Sequence, residues 1–142
     1  GVMRNQLLAA WETTDVVLLE WPEISAHMGL VATLGEALRL AGAELLELDQ
    51  RELGMLCSPL PLGFGSLLWD NVPGGAARVY ELFQAGREWL RRAHQVLYRD
   101  AEHHARCQKA CIDCILSYGI QQQVGTPLCR REACLWLERA LG

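Results

Sequence analysis

Apolar and polar positions alternate along this chain in two different rhythms. The run Val16-Val17-Leu18-Leu19, closed by Glu20-Trp21 and bounded by Thr13-Thr14 and Pro22, is β-branched and apolar and predicts a buried strand. Leu30, Leu34, Ala37, Leu38 and Ala41 then recur at three and four, which predicts a helix, with Gly42 as its stop. Leu45 to Leu48 and Leu53 to Cys57 predict further strands, and Pro59, Pro61 and Gly63 predict a loop. Phe64 to Trp69 predicts a strand hairpinned to the one before it. From Ala76, the stripe Val79, Phe83, Gly86, Leu90, Ala93 and Leu97 predicts one long helix, weakened in its middle by Gly86. A last helix is predicted over Arg130 to Leu141, with Ala133, Leu137 and Leu141 inward. This order predicts an α+β fold, a small and mostly antiparallel sheet packed against two or three helices.

At 142 residues the chain reads as a single domain over 1–142. A chain of this length buries roughly 68–70% of its unfolded surface, so metal is not needed merely to make a core. No apolar run approaches the roughly 18 residues that span a membrane, so no membrane partner is expected. The first residues lack the basic-then-apolar order of a signal peptide. The expected location is a reducing cytoplasm, where clustered cysteines point to metal before disulfide.

Three of the six cysteines crowd into Cys107-Gln108-Lys109-Ala110-Cys111-Ile112-Asp113-Cys114. Thiolates at this spacing converge on one tetrahedral ion, usually zinc, and a structural zinc takes four ligands. The run supplies three. Cys129 is the first candidate for the fourth, because it stands where the last helix begins and a helix dipole favours a thiolate. His104 and His103, just upstream, are the alternatives, since neutral imidazole also ligates zinc. Cys134 and Cys57 read as core. The chain therefore divides into an α/β core over 13–100 and a zinc knuckle with the final helix over 101–142.

Charge changes what this knuckle can be expected to touch. Up to Ala77 there are three Arg against ten Asp and Glu, and beyond it ten Lys and Arg against seven acids, for an overall −4. Arg87, Arg91, Arg92, Arg106 and Lys109 are candidates for phosphate contacts, and the same residues also suit a solvated helix face. Arg130 and Arg131 belong to the same basic half. Trp21, Trp69 and Trp136 read as core; Trp11 and Trp89 can stack on bases or dock a partner domain, but ordinary packing is the favoured reading. Asp70-Asn71-Val72-Pro73-Gly74-Gly75 can cradle an anion at a helix start or form a tight turn, but it lacks the Gly-Lys-Ser/Thr ending of a P-loop. Asp70, His94, His103 and His104 suggest a metal-dependent hydrolase or nuclease only weakly, since no HExxH helix accompanies them.

Two of these motifs together resemble a known family. Leu67-Leu68-Trp69-Asp70-Asn71-Val72-Pro73-Gly74-Gly75-Ala76 is similar to its strand-and-turn signature. Cys107-x3-Cys111-x2-Cys114-Ile115-Leu116-Ser117-Tyr118-Gly119 is similar to its knuckle. The family is DUF1998, the zinc-binding domain of mitomycin-repair-type helicases, and the resemblance runs from about Thr13 to the C-terminus. It implies a non-catalytic module that binds zinc through four cysteines. It also implies DEAD/DEAH-type helicase motor domains, or a helicase subunit, as partner, in DNA repair or in DISARM-like anti-phage defence, with DNA nearby. A docking module without DNA contact is the alternative. Three departures stand out: Ala105 where the family has a further cysteine, Ile120-Gln121 in place of Asn-Gln, and Cys129-Arg130 in place of Asp-Arg.

Overall fold

The computed structural model describes residues 2–4, 9–12, 16–21, 23–71, 76–107 and 128–142. Cys111, Cys114, Lys109 and the turn residues 72–75 lie outside the described residues. The elements run β1 (Val2–Arg4), β2 (Ala9–Glu12), β3 (Val16–Glu20), α1 (Met28–Leu45), a 3-10 turn (Gln50–Glu52), β4 (Leu53–Leu60), β5 (Gly63–Asp70), α2 (Ala76–Ala85), α3 (Arg87–Tyr98), α4 (Ala101–Arg106) and α5 (Arg130–Leu141). The five strands form one sheet in the order β1-β2-β3-β5-β4, every pair antiparallel. The α+β expectation holds.

Alternation along β3 to β5 sets the packing. Val17, Leu19, Leu53, Met55, Cys57 and Leu68 are buried, and α1 packs against β4 and β5. Helix α1 also packs on α3, and α3 on α5, so the helices form a second layer. One polar chain crosses the core and is satisfied throughout: Trp21 Nε1 donates to Ser66 Oγ at 2.9 Å, which donates to the Val31 carbonyl at 3.1 Å. Trp21 meets Trp136 of α5 edge to face, centroids 5.0 Å apart, which ties the last helix to the sheet.

Several expectations are corrected here. Gly42 does not stop α1, which runs on to Leu45, so Leu45 to Leu48 is helix end and turn rather than strand. A Cβ on Gly42 would come within 2.5 Å of Leu82 Cδ1, so this glycine lets a helix of the second layer approach closely. Pro59 sits inside β4, where an edge strand spares its missing N–H, and only Pro61-Leu62 turn the hairpin. The long helix is two helices. Gly86 takes φ +57 between α2 and α3, a left-handed geometry that ends a helix. Leu141 is only half-buried. The packing reading of Trp89, by contrast, holds: it is 2% exposed and donates to the Leu38 carbonyl at 2.8 Å. Strands β1 and β2 and helix α4 were not anticipated.

Candidate metal centre

The cysteine run begins at Cys107, where α4 ends. Asp100 caps this helix, accepting the His103 N–H at 2.8 Å, and Glu102 near its start and Arg106 near its end complement the dipole. Cys107 is the C-cap: its N–H still donates to the His103 carbonyl at 2.9 Å before the chain turns extended. The Cys107 side chain is buried. His103 and Cys107 are thus one helical turn apart on the same face.

The two histidines are held in opposite tautomers. His103 is 2% exposed, and its Nδ1 lies 2.9 Å from the Tyr98 carbonyl, which only accepts. The proton is therefore on Nδ1. His104 Nδ1 lies 3.2 Å from Arg130 Nη2, which only donates, so the His104 proton is on Nε2. Burial, with the charges of Arg130 and Arg131, holds the His104 pKa below the usual imidazole value.

Arg130 was expected on a basic, solvated face. It is fully buried instead. Its guanidinium donates to the carbonyls of Cys107 (2.5 Å), Leu97 (2.8 Å) and His104 (2.9 Å), and reaches Cys134 Sγ at 3.5 Å. No carboxylate is among these partners. Arg131 adds donors to the carbonyls of His104, at 3.2 Å, and Ala105. Ala105 itself is exposed. The buried arginine was findable in the sequence, because Arg130, Ala133, Cys134 and Leu137 share one helical face.

The remaining thiols divide in two. Cys134 and Cys57 are buried, and burial pushes each pKa up to about 11, consistent with their reading as core. Cys129 is the N-cap of α5 and half-buried; its N–H donates to Thr33 Oγ1 of α1 at 2.8 Å. Among the described residues, one group of three metal donors lies together: Cys129, His27 and Glu132, ligand atoms within 4.8 Å of one another.

The candidate phosphate contacts are mostly engaged within the domain. Arg87 donates to the Leu141 carbonyl at the end of α5 (2.6 Å), Arg91 pairs with Glu88 (3.4 Å), and Arg92 pairs with Glu44 (3.5 Å). Arg106 is exposed. Asp70 lies 4.0 Å from Arg78 Nε, and His94 pairs with Glu138 at 3.0 Å.

The side chains of His103 and Cys107, both buried, thus stand one turn apart at the end of α4 on an α+β frame. The chain matches the model of the family described as the MrfA Zn-binding domain over residues 34–115, more than half of its length, and it belongs to that family. The matched span takes in Cys107, Cys111 and Cys114 and stops before α5. Zinc is the ion of this family. No curated protein and no solved structure matches the chain. Among the described residues, no helix is long and apolar enough to cross a membrane.

Proposed function

We propose that this chain is a non-catalytic zinc module that braces a DEAD/DEAH-type helicase assembly in DNA repair or anti-phage defence. Cys107, Cys111 and Cys114 are three of the ligands, and His103 Nε2 is the fourth, in place of the cysteine that Ala105 lacks. The observation that carries this reading is the buried Arg130. A buried cation without a carboxylate partner is costly unless charge of opposite sign lies close by. A zinc with three thiolates and one neutral imidazole bears one excess negative charge, which a single guanidinium balances. The residues fit the ion in this respect. When bound, zinc would fix the run after α4, and Arg130 would join that run to α3 and α5.

His104 is the poorer ligand, because binding at either ring nitrogen would take away the acceptor that its Nδ1 offers to the buried Arg130. The Cys129 Sγ has His27 and Glu132 as neighbours, their ligand atoms within 4.8 Å of one another. Of the two roles, domain assembly is favoured over direct DNA contact, since Arg87, Arg91 and Arg92 are already engaged with Leu141, Glu88 and Glu44. Arg106, which is exposed, remains for phosphate. The cytoplasm is the proposed location.

Zinc analysis with cobalt substitution tests the site. Expected is a tetrahedral cobalt spectrum with three thiolates and one nitrogen, converted to a four-thiolate spectrum by His103→Cys. A four-thiolate spectrum in the unaltered chain would overturn the His103 assignment, and metal-free protein would overturn the module. For the role, DNA affinity that falls steeply with salt would favour nucleic-acid contact, and no binding at low salt would favour docking.

A further inference from the structure

We propose a second cation site, separate from the knuckle, formed by Cys129, His27 and Glu132. The three residues come from two helix starts. His27 is the N-cap of α1, Cys129 is the N-cap of α5, and Glu132 lies in the first turn of α5, on the same face as Cys129. Their ligand atoms lie within 4.8 Å of one another, and His27 Nε2 is 3.6 Å from Glu132 Oε2. The proposal rests on the preceding reading that Cys129 is not a knuckle ligand.

The frame beneath the site is fixed before any ion arrives. The Cys129 N–H donates to Thr33 Oγ1 at 2.8 Å, and Thr33 Oγ1 donates to the Gly29 carbonyl at 2.7 Å. Thr33 is fully buried, so the first turn of α5 is pinned to the first turns of α1. Two helix N-termini meet here, and their partial positive charge suits anionic ligand side chains. Sulfur, nitrogen and oxygen donors together suit zinc among the common divalent cations, and hard cations far less. With three protein ligands and two exposed side chains, the fourth position belongs to water. The site is therefore open and weaker than a closed four-ligand knuckle.

One feature of His27 makes the site distinguishable. Its Nδ1 accepts the Leu30 N–H at 3.2 Å, so in the metal-free ring the proton is on Nε2, facing Glu132. Zinc at Nε2 takes the place of that proton, and the ring then carries its proton on Nδ1. Binding would thus exchange the α1 cap for a metal bond, the ring keeping its one proton but carrying it on Nδ1 in place of Nε2.

Zinc titration of the full chain against a chromophoric chelator tests this. Expected is about two zinc ions per chain, one tight and one weak, as closed and open sites differ. His27→Ser keeps an N-cap oxygen and Glu132→Gln keeps the side-chain shape, so both variants should fold. Each of them, and Cys129→Ser, should abolish the weak zinc and keep the tight one. Nitrogen NMR of the unaltered chain should show His27 changing tautomer at the weak step, with faster exchange of the Leu30 amide. The proposal is overturned if His27→Ser and Glu132→Gln leave the zinc count unchanged. It is equally overturned if Cys129→Ser removes the tight zinc, for Cys129 then belongs to the knuckle. A missing tight zinc with the weak one intact would overturn the knuckle reading alone.

Discussion

The Nε of the fully buried Arg130 donates to the carbonyl oxygen of Cys107 at 2.5 Å, from the first turn of α5. One guanidinium thereby holds the first cysteine of the knuckle, the end of α3 through Leu97 and the body of α4 through His104. The geometry uses the fork that lysine lacks.

Arg130→Met should be among the most damaging single changes. It leaves the carbonyls of Cys107, Leu97 and His104 without this donor, at about 1–3 kcal/mol for each buried group left unpaired. A loss of about 3 kcal/mol or more in urea unfolding is the expected outcome, with weaker zinc retention under a chelator. Arg130→Lys should recover only part of it, since one ammonium cannot reach three carbonyls. A variant as stable as the unaltered chain would show that the bonds contribute nothing net.

The pH dependence follows from His104. Its folded pKa lies below the ordinary value, because of burial first and then Arg130 and Arg131, against an opposing Glu138; His94 adds a small effect in the same direction as the arginines. Above the ordinary value of about 6.5 both folded and unfolded rings are neutral, and stability is unaffected. As pH falls below it, the unfolded ring takes a proton that the folded ring refuses, so stability declines until the folded pKa is passed. Acid also releases zinc by protonating thiolates, so the measurement is a difference. His104→Gln, which can still accept from Arg130, should flatten part of the stability profile as pH falls below about 6.5. Identical slopes would exclude His104 as the titrating group.

Where the pattern is local, the sequence states the structure. The last helix is read at both ends because its apolar face repeats within one segment, and β3 and β5 are read because β-branched and apolar runs end at turn residues. What escapes is set by distant partners. Gly42 looks like a helix stop, and only Leu82, forty positions on, makes it a packing residue. Gly86 was seen as weak, but its left-handed φ splits the helix outright. Arg130 sat on an apolar face by its spacing, yet its charge argued for the surface; the carbonyls that satisfy it come from two other helices and the knuckle. The zinc run was legible as three ligands. The tautomer of His103 was not, since it depends on the Tyr98 carbonyl at the end of α3. His27 offered no signal of its own, because its neighbours Cys129 and Glu132 lie a hundred residues away.

Gly42→Ala isolates the helix contact. Alanine gains about 1 kcal/mol of helix propensity over glycine. Its Cβ would, however, meet Leu82 Cδ1 at 2.5 Å and Leu53 Cδ1 at 3.3 Å, both on buried side chains. Overpacking of this kind costs about 1–3 kcal/mol, so a net loss of about 1 kcal/mol is expected by thermal unfolding. In Leu82→Ala, which opens the space, the same substitution should become favourable. The sign reversal between the two backgrounds is the check, because propensity alone gives the same sign in both.

Thr33→Val tests whether the junction of α1 and α5 is held by a hydroxyl or only by packing. Valine keeps the shape of threonine and removes Oγ1, the acceptor of the Cys129 N–H. That N–H is then left without its α1 partner at a half-buried helix start, which costs about 1–3 kcal/mol for an unpaired group. The Gly29 carbonyl loses a second donor, a smaller matter because it lies within helix α1. The consequence for metal is specific. Cys129 would no longer be fixed against α1, so the weak zinc bound with His27 and Glu132 should be lost or weakened about tenfold, as expected when a supporting hydrogen bond behind a metal ligand is removed. The tight zinc should be unchanged, because its three cysteines and His103 do not depend on Thr33. A Thr33→Val chain that loses stability yet keeps both zincs at their original affinities would assign the hydroxyl to folding and not to the site.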